Sequence, residues 1–332
     1  MTCKVYKERI GVHRERGIFI FSLGVLLSLG GLWAAEDNPD PTVKSNPSQF
    51  EDSIAWIPQV PLEETVTIVD STACGLITLR HIEAGGIGYE HGYSSLTGLA
   101  FPNTTPGRWV WPVVDVRVHE FNDNTQAGNL GIGARFASSK LSRVFGANLY
   151  YDYRNTHHGS YNQIGAGFEF LGERIDLRIN GYLPLGEKKH TITHCKFRYP
   201  GGFLMERKKI ETAIGGGNLE VGAYITKVRH FSFYAAAGPY YLTGDVCRHV
   251  FGGEFRFDIS YKKYGFIEGR VSHDNVFETK VQGMIGVSIP LGCKPAKNGL
   301  TKRQFPEEIM SIPIERHEII PLEKNCRWKT NF

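Results

Sequence analysis

The sequence predicts an all-β fold, a transmembrane antiparallel up-and-down β-barrel of about twelve strands. Apolar and polar residues alternate with a period of two from about residue 75 to residue 290. The polar positions are rich in glycine and in charges of both signs, as expected for a narrow hydrated lumen, and the apolar face often begins or ends in an aromatic residue. A soluble sandwich also alternates, but these two further features favour the membrane barrel.

The N-terminal segment 1–35 predicts a signal peptide, because basic residues precede an apolar run from Ile18 to Ala35 and small residues end it. An uncleaved anchor helix is the alternative, although the run is barely long enough to span a bilayer. Residues 36–75 follow as a periplasmic linker, since they begin rich in Pro, Ser, Asn and acidic side chains.

The barrel is expected over residues 76–292, and each alternating segment within it predicts one strand. In the segment 143–154, for example, Leu149 and Tyr151 fall on the apolar face, whereas Asn148 and Asp152 fall on the polar face. The expected strands are about 76–88, 91–101, 109–120, 128–137, 142–154, 160–171, 174–184, 207–226, 229–241, 248–261, 264–273 and 276–290.

Connection lengths fit this strand assignment. The tight connections 138–141, 172–173, 227–228 and 262–263 all fall at the end where the first strand begins, and the longer ones, such as 185–206 and 242–247, fall at the other. Bacterial barrels have short periplasmic turns and long outside loops, so we expect the first strand to begin in the periplasm. Interfacial aromatic girdles are expected from Trp109, Trp111, Tyr151, Tyr153, Tyr240, Tyr241 and Tyr261.

Charged residues of both signs recur on the predicted lumen face, where pairs on adjacent strands can bond across the sheet. They hydrate the interior of a small barrel or bind a segment that passes through it. The predicted lumen-facing charged residues are Asp115, Arg117, Asp152, Arg154, Glu169, Asp176, Arg178, Glu254, Arg256, Asp258, Glu268 and Arg270.

Several motifs in series resemble one family. They are Gly146–Tyr153, Gly165–Glu169, Arg178–Pro184, Asn218–Tyr224, Gly238–Tyr241 with Gly244-Asp245, Glu268–Val276 and Ile289–Gly292. In order and spacing they resemble the inverse autotransporter β-domain of intimins and invasins, most closely the short forms of chlamydia-like bacteria. The resemblance implies a twelve-stranded outer-membrane barrel with a periplasmic N-terminus, through whose lumen a C-terminal passenger reaches the cell surface.

The segment after the barrel departs from that pattern, because residues 293–332 leave no room for the immunoglobulin-like repeats of the adhesins. An extended chain covers about 3.3 Å per residue, so forty residues are long enough to cross a hydrocarbon core of about 30 Å. This short C-terminal tail either threads through the lumen or lies disordered in the periplasm, and the sequence is compatible with both.

The sequence contains few signals of catalytic or metal-binding sites. No Gly-x-Ser-x-Gly elbow and no Cys-x-x-Cys spacing occurs, and His157-His158 would need a third ligand to hold a metal. We therefore expect no catalytic, cofactor-binding or metal site and no cofactor. Cys195 and Cys247 fall in outside loops of neighbouring hairpins and form a candidate disulfide. The near balance of 38 basic and 34 acidic residues excludes a broad nucleic-acid interface.

The expected function is translocation and surface display of the chain's own C-terminal segment, with adhesion through surface loops. The alternative is a passive pore or structural envelope barrel plugged by its tail, and an outer-membrane enzyme is a third class. Expected partners are outer-membrane lipid, periplasmic chaperones, the barrel-assembly machinery and a receptor on a host or neighbouring surface. The expected location is the bacterial outer membrane, after signal-peptide cleavage.

Overall fold

The computed structural model describes residues 2–5, 74–102, 110–198, 204–244, 249–262, 264–292, 303 and 306–331. Apart from residues 2–5, 74 and 75, the predicted signal peptide and linker lie outside this range, and both assignments stay predictions. The described residues belong to one compact unit.

Twelve of the described strands form a closed antiparallel barrel, which confirms the predicted fold class. The barrel closes where the strand that contains Gly181 pairs with the strand that contains Gly217. The barrel strands are β2 (Cys74–Glu83), β3 (Tyr93–Phe101), β4 (Val110–Phe121), β5 (Gln126–Ser138), β6 (Arg143–Thr156), β7 (Gly159–Gly172), β8 (Ile175–Leu185), β11 (Gly215–Val228), β12 (Phe231–Thr243), β13 (Val250–Tyr261), β14 (Gly265–Asp274) and β15 (Glu278–Leu291).

The two ends of the barrel differ in their connections. We call the end where β2 begins and β15 ends the base, and the opposite end the rim. The turns 139–142, 173–174 and 229–230 lie at the base, and the rim carries the long connection 186–214 together with the short turns 122–125, 157–158 and 275–277. The tight connections that the sequence predicts are therefore all at the base.

The barrel wall alternates as the sequence predicts, with large apolar side chains outside. On β6, Leu149 is 50 % exposed on the outer surface, whereas Asn148 and Tyr150 on either side are 8 % and 1 % exposed inside. Since an aqueous solvent would not favour such a surface, the apolar outer wall fits contact with lipid chains.

Two of the expected girdle aromatics face the lumen instead. Trp111 and Tyr240 are buried, whereas Tyr151, Tyr153, Tyr241 and Tyr261 lie on the outer wall, and Trp109 lies outside the described residues. Trp111 shares its strand face with Asp115 and Arg117, so it points inward with them. Tyr240 and Tyr241 are adjacent and necessarily face opposite sides; the Tyr240 hydroxyl donates to Asp274 Oδ2 at 2.5 Å inside the barrel.

A second sheet of four strands stands at the rim. Its order is β1 (Thr2–Val5), β9 (Lys189–Arg198), β10 (Leu204–Ala213) and β16 (Leu322–Asn331), all antiparallel. The expected single strand 207–226 is therefore wrong, because the chain leaves β10 at Ile214 and enters the barrel as β11. The expected loop 185–206 contains β9 and the start of β10.

Glycine makes this change of sheet possible. Gly216 has a φ of +154°, and a Cβ on it would lie 2.0 Å from the carbonyl oxygen of Tyr241. A larger residue would therefore disturb the pairing of β11 with β12. The one described helix, α1 (Glu307–Met310), is a single turn, and no described helix is long and apolar enough to cross a membrane.

Candidate functional site

The lumen is the part of the molecule where charged side chains converge. All twelve residues predicted to face it lie on its inner wall, and most of them are almost fully buried, such as Asp176 at 0 % exposure and Arg178 at 2 %. The least buried are Asp258 and Arg270, whose side chains are each 17 % exposed.

These charges pair with one another around the wall. Arg178 Nη1 lies 2.8 Å from Glu220 Oε1 and 2.7 Å from the Tyr234 hydroxyl, which ties β8 to β11 and β12. Arg256 Nη1 lies 2.9 Å from Asp258 Oδ2 on the same strand. Most of these buried charges thus have a partner of opposite sign, and Arg154 donates instead to the backbone carbonyls of Gly88 and Ile320.

The C-terminal segment 310–322 runs through this lumen from base to rim. At the base, Arg135 Nη1 donates to the Met310 carbonyl at 2.7 Å, and farther along Arg117 Nη2 donates to the Ile314 carbonyl, also at 2.7 Å. At the rim, the backbone N–H of Leu322 donates to the Gly88 carbonyl at 3.2 Å. Twelve extended residues span about 40 Å, enough for the hydrocarbon core.

Glu318 is the most heavily bonded carboxylate of this segment. Its Oε1 accepts a 2.6 Å hydrogen bond from the Tyr93 hydroxyl, and its Oε2 lies 3.0 Å from Arg117 Nη1. Arg80 forms a third bond to the same carboxylate. Side chains of β2, β3 and β4 therefore hold one tail residue.

Arg316 faces another part of the wall, at β6. Its two terminal nitrogens each lie 2.6 Å from one oxygen of Asp152, in a bidentate pair. The guanidinium also lies over the Tyr150 ring, 4.2 Å from its centroid. Both charged side chains are 1 % exposed, so this pair is removed from water.

Two neighbours complete the charged run of the tail. Glu315 Oε1 lies 2.8 Å from Arg270 Nη2, and its Oε2 lies 3.5 Å from Arg256 Nη1. The His317 backbone N–H donates to the Tyr182 hydroxyl at 2.8 Å, and the His317 ring stacks on the Tyr182 ring at 5.8 Å. Successive tail residues thus bond different sectors of the barrel.

Apolar packing and one ion pair hold the tail at the base. Ile309 and Met310 of α1 are both 0 % exposed and pack in a cluster with Phe101, Trp111 and Leu171, among others. Upstream of α1, Arg303 Nη1 lies 2.8 Å from Asp176 Oδ2.

At the rim, the tail becomes a strand. β16 pairs with β10 along ten residues, from Leu204 opposite Asn331 to Ala213 opposite Leu322. Lys324 Nζ lies 3.1 Å from Glu90 Oε1, and this hydrogen bond lowers the pKa of the Glu90 carboxyl.

Several residues that build this site were not predicted from the sequence. They are Arg80, Arg135 and Glu220 on the barrel and Arg303, Glu315, Arg316 and Glu318 on the tail. Arg135 shares a strand face with Gly131 and Gly133, so strand parity was a usable signal for it. For the tail, the charged run 315–318 was the sequence signal that these residues could pair with charges in the lumen.

Little open space remains around the middle of the tail, whereas a cavity of about 330 Å³ opens at the rim beside Leu322 and Lys324. The cavity between Tyr93, Arg117, Glu254 and Glu318 measures about 50 Å³, so this part of the lumen is nearly filled.

Two other sequence hypotheses can be located on the structure. His157 Nε2 lies 3.7 Å from Asp123 Oδ2 at the rim, but no group of three potential ligands that could hold a metal ion occurs among the described residues. Cys74 at the base and Cys195 in the sheet at the rim each take part in a separate disulfide; Cys247 lies outside the described residues, so its pairing with Cys195 stays a prediction.

Comparison with known proteins identifies the barrel. Residues 114–245, from within β4 to just beyond β12, match the family model of the inverse autotransporter β-domain. This part of the barrel is therefore similar to the inverse autotransporter β-domain. The family resemblance of the sequence motifs is thereby confirmed, and with it an outer-membrane β-barrel of bacteria.

Solved structures agree on the fold of this barrel. A chain solved in work on the in-meso crystallization of membrane proteins aligns with a TM-score of 0.52 at 14 % identity, over 76 % of this chain and 100 % of that one. This likeness shows the fold alone.

Two further barrels are more distant. Outer membrane protein Omp33 of Acinetobacter baumannii aligns at a TM-score of 0.33 and 9 % identity, over 68 % of this chain and 99 % of that one. The translocator domain of autotransporter NalP from Neisseria meningitidis aligns at 0.27 and 11 %, over 66 % and 90 %. TM-scores this low carry no argument. No curated protein matches the sequence.

Proposed function

We propose that this barrel carries its own C-terminal segment across the outer membrane and displays β16 at the cell surface. One observation supports the proposal above all others: the segment 310–322 lies in the lumen from base to rim and continues as a strand paired with β10. With the base in the periplasm, as the connection lengths predict, β16 is outside the cell.

The same proposal includes the route to the membrane and a use at the surface. The predicted signal peptide exports the chain, and its cleavage removes β1 (Thr2–Val5), so that the sheet at the rim of the mature protein consists of β9, β10 and β16. Periplasmic chaperones and the barrel-assembly machinery insert the barrel in the outer-membrane lipid. The rim sheet of β9, β10 and β16 then faces a host or neighbouring cell and acts in adhesion. We propose no catalytic activity.

Surface labelling of intact cells tests the display proposal. One epitope tag follows Phe332, and a control tag lies between β9 and β10. Labelling of both tags is expected if the tail crosses the membrane through the lumen. Labelling of the control tag alone would contradict display and leave a barrel whose tail ends on the inner side.

A second candidate is a structural envelope barrel closed by its tail, favoured by the cavity of only about 50 Å³ beside Glu318. Conductance in planar bilayers tests the closure. The full chain is expected to conduct little, and a chain truncated after Gly292 is expected to form open channels of several-fold higher conductance. Equal conductance of the two chains would show that the tail does not close the lumen.

A further inference from the structure

Basic residues are concentrated in the rim sheet. Its strands β9, β10 and β16 together carry nine Lys and Arg residues and three Glu residues. The excess of six exceeds that of the whole chain, whose net charge is +4. A charge asymmetry of this size points to an anionic partner.

The register pairs only some of the basic residues with carboxylates. On the backbone ladder, Glu206 of β10 stands between Lys196 of β9 and Lys329 of β16, whereas Lys208 stands between His194 and Arg327. Like charges directly opposite each other destabilise a sheet. Local pairing therefore does not explain why Lys208 lies opposite Arg327, and an anion bound at this position would relieve their repulsion.

A single carboxylate lies among the basic side chains of this face. Glu206 lies 3.8 Å from Lys196 Nζ and 4.0 Å from Lys208 Nζ, and its hydrogen bond with His194 lowers the pKa of the Glu206 carboxyl. The Lys196 and Lys208 side chains remain 56 % and 44 % exposed. One carboxylate cannot neutralise both lysines, so this face keeps a positive charge.

The other face of β10 is also basic, because Arg207 and Lys209 alternate with Lys208 and are exposed. β9 and β10 continue directly from the wall strands β8 and β11, and Lys196, Lys208 and Lys209 lie roughly 13 to 25 Å along the strands from the barrel. The sheet therefore reaches from the barrel into the layer above the lipid surface.

We infer that the rim sheet binds the phosphate groups of the lipopolysaccharide that surrounds the barrel, through Lys196, Lys208 and Lys209. The inference rests on the proposed function for the outward orientation of the rim. Phosphate supplies the dense negative charge that this surface lacks, and the glycolipid layer is the polyanion nearest to it. Such contacts anchor the barrel laterally and stiffen β10, with which β16 pairs.

Binding of purified full-length protein to lipopolysaccharide micelles tests this inference. The variant Lys196→Gln, Lys208→Gln, Lys209→Gln is compared with a matched variant at the base, Lys140→Gln, Lys227→Gln, Lys262→Gln. Each basic residue near an anionic surface contributes about fivefold in affinity, so the rim variant is expected to bind at least tenfold more weakly. The base variant is expected to bind as the wild type does.

Two further arms identify the ligand. Enzymatically dephosphorylated lipopolysaccharide is expected to bind weakly to the wild-type chain, and added salt is expected to weaken the binding to intact lipopolysaccharide. Equal loss in the rim and base variants, or tight binding of heparin with none of lipopolysaccharide, would overturn the inference. Because this assay does not depend on which way the barrel is inserted, its failure is distinguishable from failure of the surface-labelling test.

Discussion

Arg316 illustrates how single residues fix the tail in the lumen. Its planar guanidinium meets both oxygens of Asp152 and lies over the ring of Tyr150, a geometry that a lysine ammonium would not reproduce. Removing two charges from water is costly, and such a pair adds specificity more reliably than stability. Ion pairs between specific tail and wall residues, such as Arg316 with Asp152, therefore fix the position of the tail along the lumen.

The substitution Asp152→Asn is expected to lower the free energy of unfolding by about 3–5 kcal/mol, because it leaves a buried guanidinium without its counter-charge. Denaturant unfolding of the purified barrel measures the effect. The double variant with Arg316→Gln is expected to lose less than the sum of the single losses. The exposed Glu120→Gln serves as the control and is expected to unfold as the wild type does. Unchanged stability of Asp152→Asn would contradict the assigned pairing.

At the scale of elements, the period-two pattern predicted eleven of the twelve barrel strands to within about five residues, because inward and outward positions must differ in polarity along every strand. The same parity could have placed Trp111 inward with Asp115. It could not reveal β9 as a separate strand or the break at Ile214. That break is set by tertiary contacts, among them the hydrogen bond from the Ile214 N–H to the Pro321 carbonyl at 3.1 Å.

The short helix α1 is expected to hold the tail at the base by its apolar side chains. Ile309→Asp would place a carboxylate in the apolar cluster around Trp111 at a cost of several kcal/mol, so the base end of the tail would detach. Limited proteolysis of the connection 293–302 is expected to be at least tenfold faster than in the wild type. Pro313→Asp, at an exposed position, is the control. Equal cleavage rates for Ile309→Asp and the wild type would mean that α1 is not an anchor.

At the scale of the whole molecule, the charged residues of the tail pair with the charged residues of the barrel wall. Glu315, Arg316 and Glu318 bond side chains from β2, β3, β4, β6, β13 and β14, strands far apart in the sequence. The sequence was compatible with both a threaded and a disordered tail, because the tail and lumen residues that form these ion pairs come together only once the barrel has closed. The lumen charges themselves were predictable from strand parity, but their partners on the tail were not.

Disulfide trapping of the tail inside the lumen tests the central claim most directly. The chain carries Cys326→Ser, a protease site within residues 293–302, and the pair Asp152→Cys with Arg316→Cys. The control replaces Asp152→Cys by Leu149→Cys, which lies on the same strand but on the outer wall. After mild oxidation in outer membranes and proteolysis, the tail fragment is expected to stay with the barrel on a non-reducing gel for the first pair and to separate for the control. Equal release of the tail from both chains would contradict a tail threaded through the barrel.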